Sequence, residues 1–256
     1  MEERKNPVQS AERIFAVLEL LADQGAMGLM ELSSRLNIHK STVHRLLQSL
    51  ICMGYVIQEA QSGKYILTFK LVQLAEKMKE HMEAASVIHP YMLALANESG
   101  ETVHFVQRRG NEVVYVDKVE PTNPKESSIR MASQIGMTRP MYCSGVGKAI
   151  LAQMTEDEVR QIWYKSKIEK KTEYTLTTLE ELIKELKEIR ICGYALDNEE
   201  NEIGVRCIAV CVGERRSTGE YAISISAPVS RMPDDRVREL SRLILKARDE
   251  IHHVLT

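Results

Sequence analysis

The sequence of 256 residues lacks the features that mark membrane, secreted and disordered proteins. No apolar run approaches the roughly 18 residues of a membrane span, and the most apolar early stretch, Ile14–Ala22, is interrupted by Glu19. Met1–Asn6 is polar and no apolar core follows it, so we expect no secretory signal. The glycines and prolines form no tract typical of a flexible linker. These absences favour an ordinary globular chain of one or two domains.

Cysteine usage and net charge also exclude several classes. The five cysteines are an odd, scattered set with no CxxC pair, which suits reduced thiols better than a disulfide framework or a structural zinc site. We therefore expect a cytoplasmic protein with no metal and no cofactor. The 34 basic and 36 acidic residues give a net charge of −2, so any nucleic-acid binding must depend on a local basic patch.

The first seventy residues have the periodicity of a winged helix-turn-helix. Apolar residues at helical spacing predict three helices, over Ser10–Gln24, Met30–Leu36 and Lys40–Met53, with Ser10 as the first N-cap. Two strand-like runs follow, Tyr55–Gln58 and Lys64–Leu67, and form the predicted wing.

A basic surface is predicted on the third helix. No acidic residue occurs between Glu31 and Glu59. Polar and basic side chains at a helix start fit phosphate and base-edge contacts in the major groove of double-stranded DNA. The alternative is a solvated face, or a winged helix that binds protein. The candidate DNA-binding residues are Lys40, Ser41, Thr42, His44 and Arg45, together with Lys64 at the wing turn.

Leu71, Leu74, Ala75 and Met78 repeat at helical spacing and predict an amphipathic joining helix. This stripe either packs on its own domain or dimerises the chain, and a palindromic operator favours a homodimer. We therefore expect a DNA-binding domain over residues 1–69, a linker helix over 70–82 and a second domain over 83–256.

The second domain mixes helices with hairpins, which is typical of an α+β fold with an antiparallel sheet flanked by helices. Helices are predicted over Ala84–Ser99, Gly145–Met154, Glu156–Tyr164, Leu179–Cys192 and from Pro233 to about Val254. Strands are predicted over Thr102–Arg108, Glu112–Lys118, Ser127–Ala132, Cys207–Gly213 and Glu220–Ala227.

Candidate ligand-binding residues occur at one helix start and on one strand. Ser144 is a natural N-cap, and Gly145 behind it lets an anion approach free backbone N–H groups, although a plain helix cap explains it equally well. The segment is not a P-loop, because Tyr142 and Ala149 replace the required Gly and Ser or Thr. Ser224 and Ser226 share one strand face and suit a small polar ligand or, alternatively, solvent.

Motifs along nearly the whole chain match one family. They are Lys40-Ser41-Thr42-Val43, Gly54-Tyr55, Lys64-Tyr65, Pro140-Met141-Tyr142, Ser144-Gly145-Val146-Gly147-Lys148, Gly193-Tyr194, Asp197-Asn198-Glu199-Glu200 and Gly204-Val205-Arg206-Cys207-Ile208-Ala209. On these motifs the chain resembles the IclR family of transcriptional regulators. Within that family, Lys40–Leu71 and Asp197–Val210 look most like the repressor of a 2-keto-3-deoxygluconate (pectin-degradation) regulon.

The resemblance implies a repressor with a GAF-like effector domain and dimers that pair into tetramers. It implies a small organic acid as effector, with a sugar-derived 2-keto acid as the first candidate. The implied effector-binding residues are Gly145, Val146, Asp197, Cys207, Ser224 and Ser226. Val146 stands where some relatives have Ala, and the larger side chain narrows the implied pocket.

An enzyme or a metal-dependent sensor with an appended winged helix is the alternative. Cys207 as nucleophile, with His104 as its base, would suit that class, but no local motif joins the two residues. A cysteine on an apolar strand is more often a small buried hydrophobic residue. We therefore expect no catalytic residue.

Overall fold

The computed structural model describes residues 6–80, 82–122, 132–213 and 221–255. The chain divides into two compact units, Met1–His81 and Met82–Thr256. In the part of the chain that the structure describes, no helix combines the length and apolar content that a membrane span requires.

The first unit is a winged helix-turn-helix, as predicted from the sequence. Its helices and strands are α1 (Gln9–Gln24), α2 (Leu29–Leu36), α3 (Lys40–Cys52), β1 (Val56–Gln58), β2 (Tyr65–Leu67) and α4 (Lys70–Glu80). β1 and β2 pair antiparallel, with Val56 opposite Leu67. Asn37 ends α2 in the left-handed conformation (φ 52°), which turns the chain sharply into α3.

The apolar face of each helix forms the core of this unit. Val17, Leu32, Val43 and Leu47 are fully buried, and their spacing is the spacing from which the helices were predicted. One boundary prediction was wrong: Val8, not Ser10, is the N-cap of α1, and it provides no side-chain cap. The helix already includes Gln9, so Ser10 lies inside the first turn.

The second unit is an α+β fold. Its helices are α5 (Glu83–Ser99), α6 (Gly145–Leu151), α7 (Glu156–Lys165), α8 (Leu179–Cys192) and α9 (Asp234–Leu255). Its strands are β3 (Thr102–Arg109), β4 (Glu112–Val119), β5 (Thr138–Pro140), β6 (Ala195–Asn198), β7 (Val205–Val212) and β8 (Tyr221–Pro228).

These strands form one antiparallel six-stranded sheet in the order β5-β4-β3-β8-β7-β6. Alternate residues point to opposite faces of the sheet. Ile208, Ile223 and Ile225 face the core shared with α5 and α9. Ala209 and Ala222 face the second core, which α6, α7 and α8 complete. The expected antiparallel sheet flanked by helices is confirmed.

The structure differs from the sequence-based elements in two respects. α6 ends at Leu151 and is shorter than the predicted Gly145–Met154 helix. β5 and β6 were not predicted; they have three and four residues, too few to show a strand period. The predicted Ser127–Ala132 strand lies outside the described residues, apart from Ala132.

Candidate nucleic-acid interface and ligand pocket

The exposed side of α3 carries the residues proposed to contact DNA. Val43, Leu46, Leu47 and Leu50 are buried, which turns the other side of the helix outward. Lys40, Ser41, His44 and Arg45 are exposed and Thr42 is half-buried.

Gln48 is also exposed, three residues after Arg45 and four after His44, so it extends the same helical stripe. Gln48 was not among the residues predicted from the sequence, although its helical spacing could have identified it.

The cations of this surface are available for a ligand. Lys40, Arg45 and Lys64 form no ion pair with any residue that the structure describes. Lys64 lies in the wing turn, where its backbone N–H donates to Ser62 Oγ at 3.1 Å. No described residue of this unit therefore neutralises the basic charge through an ion pair.

Two side-chain hydrogen bonds join the start of α4 to the backbone at the end of α3. Lys70 Nζ donates to the Met53 carbonyl oxygen at 2.6 Å and lies 4.6 Å from the centroid of the Tyr55 ring. Thr68 Oγ1 donates to the Gly54 carbonyl oxygen at 2.7 Å. The ammonium group thus caps the negative end of the proposed DNA-reading helix.

A pocket of about 500 Å³, including its open mouth, lies in the second unit on the face of the sheet that α6 covers. All six residues predicted from the sequence to bind an effector line this pocket: Gly145, Val146, Asp197, Cys207, Ser224 and Ser226. Strand register explains part of this grouping, because Cys207 lies opposite Asp197 on one side and opposite Ser226 on the other. The pocket also contains residues that were not proposed: His104, Tyr115, Ala132, Ser133, Arg139, Ser144, Asn201, Glu202 and Val205.

The start of α6 forms one wall of this pocket. Ser144 is the N-cap predicted from the sequence, and its Oγ accepts from the Gly147 backbone N–H at 3.3 Å. A methyl group on Gly145 would meet the Cys207 carbonyl oxygen at 3.4 Å and Asp197 Cβ at 3.5 Å. Gly145 therefore brings the backbone of α6 close to β6 and β7.

Neutral polar groups form the middle of the pocket. His104 lies opposite Ser224 in the sheet, and its ring nitrogens hydrogen-bond to Ser133 Oγ at 2.7 Å and Ser226 Oγ at 3.2 Å. Burial, with the nearby cations Lys118 and Arg139, lowers the pKa of His104 to about 3. The imidazole is therefore neutral at physiological pH and has one donor and one acceptor nitrogen.

Asp197 supplies the buried carboxyl group of the pocket. Its Oδ1 accepts from the backbone N–H groups of Glu200 at 2.9 Å and Asn201 at 3.4 Å. Burial and the carboxylate of Glu200 raise the pKa of Asp197 to about 7, although Lys148 opposes them. A ligand thus meets a carboxyl group close to its midpoint of titration at neutral pH.

A buried ion-pair network lies behind Asp197. The Lys148 ammonium of α6 is fully buried and pairs with Glu200 and, at 2.7 Å, with Glu185 of α8. Burial acts to lower the pKa of Lys148, but Glu200 and Glu185 outweigh it and raise the pKa. Glu200 Oε2 has no hydrogen-bond partner among the described residues. Lys148 is therefore held in place by its neighbours and does not line the pocket.

Among the residues that the structure describes, Arg139 is the cation that lines the pocket. It lies on β5 opposite Val113 of β4, half-buried, with its guanidinium carbon 5.9 Å from the centroid of the Tyr115 ring. Nη1 donates to the neighbouring Thr138 carbonyl oxygen at 3.2 Å. Arg139 makes no ion pair within the described ranges.

Each of the two units matches a known family of protein domains. The model of the "IclR helix-turn-helix domain" matches residues 10–60, and that of the "Bacterial transcriptional regulator IclR C-terminal" matches residues 76–253. The chain belongs to the IclR family. It is 34% identical to the HTH-type transcriptional regulator KdgR of Escherichia coli over 98% of this chain and 94% of that protein. It is 33% identical to the Transcriptional repressor IclR of the same organism, over 95% and 89%.

A solved IclR structure supports the fold. The Thermotoga maritima IclR superimposes with a TM-score of 0.86 at 29% identity, covering 96% of this chain and 98% of that one. Members of the family bind operator DNA through the helix-turn-helix, and this IclR-family chain is a DNA-binding transcriptional regulator. Its relatives are regulators, not enzymes.

The chemistry of the pocket also fits a regulator better than an enzyme. Burial and the nearby Asp197 raise the pKa of the Cys207 thiol, so the nucleophilic thiolate is disfavoured. His104 bonds to two serine hydroxyls. No group of three or more metal-ligating side chains occurs in the described parts of this IclR-family chain.

Proposed function

We propose that this IclR-family regulator is a cytoplasmic repressor of a catabolic operon and that a small organic acid controls it. The observation that carries the proposal is that two different surfaces belong to two different units. A basic stripe with no ion pair to a described residue lies on α3 in one unit, and a polar pocket with a cationic and an acidic wall lies in the other.

The proposed DNA contacts are Lys40, Ser41, Thr42, His44 and Arg45 on α3, with Lys64 of the wing. Arg45→Ala should weaken operator binding about 5- to 150-fold, since one arginine contact is worth about 1–3 kcal/mol. Fluorescence anisotropy at several salt concentrations measures this effect. Arg242→Ala, an exposed arginine on α9, is the matched control. Unchanged affinity of Arg45→Ala would contradict the proposed DNA contact.

The proposed effector site comprises the six predicted residues, Gly145, Val146, Asp197, Cys207, Ser224 and Ser226. Two serine hydroxyls and a neutral imidazole can hold hydroxyl and keto oxygens, and so the pocket supports a ligand rich in such groups. A sugar-derived 2-keto acid, such as 2-keto-3-deoxygluconate, is the first ligand to test. A thermal-shift screen of organic acids identifies the ligand, because selective binding to the folded state raises the melting temperature.

The double variant Ser224→Ala with Ser226→Ala should reduce the ligand-induced shift and leave operator binding intact. Both hydroxyls are buried, and Ser226 Oγ bonds His104. An unchanged ligand-induced shift in the double variant would contradict the assignment of these serines to effector binding.

We further propose that the protein is a homodimer and that dimers pair into tetramers. On α4, Leu71 packs against the core of its unit, whereas Leu74 and Met78 are 46% and 58% exposed. Two apolar side chains one helical turn apart support a paired helix. Leu74→Glu with Met78→Glu should lower the molecular mass measured by sedimentation equilibrium.

The proposed control is a population shift. A ligand changes DNA affinity only if it binds one arrangement of the subunits more tightly than the other. The bonds that Lys70 and Thr68 make to Met53 and Gly54 tie α4 to α3, so a displacement of α4 would also displace the helix that reads DNA.

A further inference from the structure

The exposed side of α3 has a central line that points straight away from the core of its unit. Four buried side chains mark the inward direction of the helix: Val43, Leu46, Leu47 and Leu50. At about 100° per residue, four exposed residues lie within about 30° of the opposite direction: Ser41, Arg45, Gln48 and Cys52. These four residues form the midline of α3.

The other polar residues of α3 lie on its flanks. His44 and Ser49 lie about 70° from the outward direction, on opposite sides of the midline. Lys40 lies on the flank of His44, at about 110°, and Thr42 on the flank of Ser49, at about 90°. Thr42 is half-buried, which agrees with a position at the side of the helix. The helix therefore presents one set of side chains outward and another set sideways.

The dimensions of the major groove give these two sets different partners on DNA. The groove is about 12 Å wide and about 8.5 Å deep, and an α-helix with its side chains is about 10–12 Å across. A helix that enters the groove therefore fills its width. The midline then points to the base edges on the groove floor, and the flanks face the phosphates along both walls. Lys40 and His44 on one flank, and Thr42 and Ser49 on the other, suit phosphate contacts.

Two of the midline residues have side chains that suit a base edge. Ser41 Oγ is already hydrogen-bonded to His39 Nδ1 at 2.9 Å, and Cys52 ends the helix with a short thiol, which is a weak donor. Arg45 and Gln48 form no hydrogen bond or ion pair with any residue that the structure describes. An arginine can donate two hydrogen bonds to O6 and N7 of guanine, and a glutamine can pair with N6 and N7 of adenine.

We infer that Gln48 is a base-reading residue, whose carboxamide binds the major-groove edge of an adenine beside the base pair that Arg45 contacts. This inference rests on the proposed contact between α3 and DNA. Three residues of helix rise about 4.5 Å, which is close to the step of about 3.4 Å between stacked base pairs. Arg45 and Gln48 can therefore reach neighbouring base pairs, so the binding site should contain a guanine and an adenine side by side, on either strand.

The contacts that hold α3 in its unit leave the midline open. Asn37 sets the turn before the helix, and Lys70 Nζ donates to the Met53 carbonyl oxygen after it. Gln48 is exposed, and alanine is a better helix former than glutamine. Gln48→Ala should therefore alter DNA recognition and leave the fold intact, which the melting temperature checks.

Selection from a pool of random-sequence double-stranded DNA by the full chain tests the inference. Sequencing of the bound fraction gives the preferred base at each position. The unmodified protein should select a site with one adenine that Gln48→Ala no longer prefers, while preferences at the other positions persist. Replacement of that A·T pair by G·C should weaken binding of the unmodified protein about 5- to 150-fold, and binding of Gln48→Ala less than about twofold.

Two changes of chemistry and one control complete the test. Replacement of that adenine by 7-deazaadenine, which keeps its base pairing but lacks N7, should weaken binding of the unmodified protein and not of Gln48→Ala. Gln48→Glu should change the preference from adenine to cytosine, because a carboxylate accepts from cytosine N4. Gln24→Ala removes an exposed glutamine at the end of α1 and should select the same site as the unmodified protein.

Three results would each overturn the inference. The first is a Gln48→Ala protein that selects the same bases as the unmodified protein, or that loses its preference for a base other than adenine. The second is equal binding of the adenine and 7-deazaadenine sites by the unmodified protein. The third is a Gln48→Glu protein that still prefers adenine.

Lys40→Ala judges the proposed DNA contact separately. Loss of a phosphate contact should weaken binding to all sequences alike and reduce the slope of log affinity against log salt concentration by about 1. This result, together with unchanged base preferences in Gln48→Ala, would overturn the inference and leave the contact between α3 and DNA standing. If neither Lys40→Ala nor Arg45→Ala alters DNA binding, the proposed contact fails and the inference fails with it.

Discussion

An added methyl group should destabilise the fold at Gly147 but change its stability little at Gly145, although both glycines lie in the first turn of α6. A Cβ on Gly147 would lie 2.5 Å from the Met141 carbonyl oxygen and 2.7 Å from Ser144 Oγ, and closer still to Met141 Cα. Two of these three atoms are backbone, so no rotamer change relieves the overlap. At Gly145 the three nearest atoms lie at 3.4–3.5 Å, so a methyl group fits with only a small adjustment.

Two opposing contributions decide whether Gly147→Ala raises or lowers the free energy of unfolding. Alanine is favoured over glycine inside a helix by about 1 kcal/mol. Overpacking against a buried site costs about 1–3 kcal/mol, and backbone overlap belongs at the upper end. We therefore expect Gly147→Ala to lower the free energy of unfolding by about 2 kcal/mol net. For Gly145→Ala, where the nearest atoms lie at van der Waals distance, we expect a change within about 1 kcal/mol.

Urea denaturation followed by circular dichroism measures both values under the same conditions. Gly145→Ala should fold but bind the effector more weakly, because Gly145 lines the pocket. A Gly147→Ala protein as stable as the unmodified one would refute the packing argument for α6. So would a larger loss of stability in Gly145→Ala than in Gly147→Ala.

Three further predictions concern charged groups. The folded chain keeps the Asp197 proton up to a pKa of about 7, while the unfolded chain loses it near 3.8, so ionisation should destabilise the fold as pH rises from about 4 to 7. Asp197→Asn should remove up to about 4 kcal/mol of this pH-dependent loss of unfolding free energy, measured by denaturation at several pH values. The same dependence of stability on pH in both proteins would contradict the raised pKa. Lys148→Met should cost about 3–5 kcal/mol in the same assay by leaving Glu200 buried without its cation, whereas a neutral result would mean that the network adds nothing. Lys70→Met should lower the stability of the first unit by about 1 kcal/mol through loss of the bond to Met53, and an unchanged melting temperature would exclude the cap.

The sequence predicted the elements whose signal is local. Leu32, Val43 and Leu47 repeat at helical spacing, and each is buried in the unit that this spacing indicates. Ser144 was identified as an N-cap because a serine before a helix can satisfy a free N–H, and it does so. The α+β class likewise followed from hairpins alternating with amphipathic segments.

The remaining features depend on contacts between distant segments. Arg139 occupies a three-residue strand with no detectable period, and only the curl of the sheet places it in the pocket with Asp197. His104 was considered only as a base for Cys207, and its bond to Ser133 joins residues 29 positions apart. The N-cap of α1 was misassigned because Val8 lacks the side-chain oxygen on which cap prediction relies.

Alternate residues of β8 point to opposite faces of the sheet, so that one set of side chains packs in the core and the other lines the pocket. Ile223 and Ile225 belong to the core with α5 and α9, while Ser224 and Ser226 lie in the pocket. Selection acting on the serine positions can therefore retune the chemical preference of the pocket while the isoleucines preserve the scaffold. A library of variants confined to the serine positions of this strand would test which ligands the proposed effector site accepts, with little loss of folded protein.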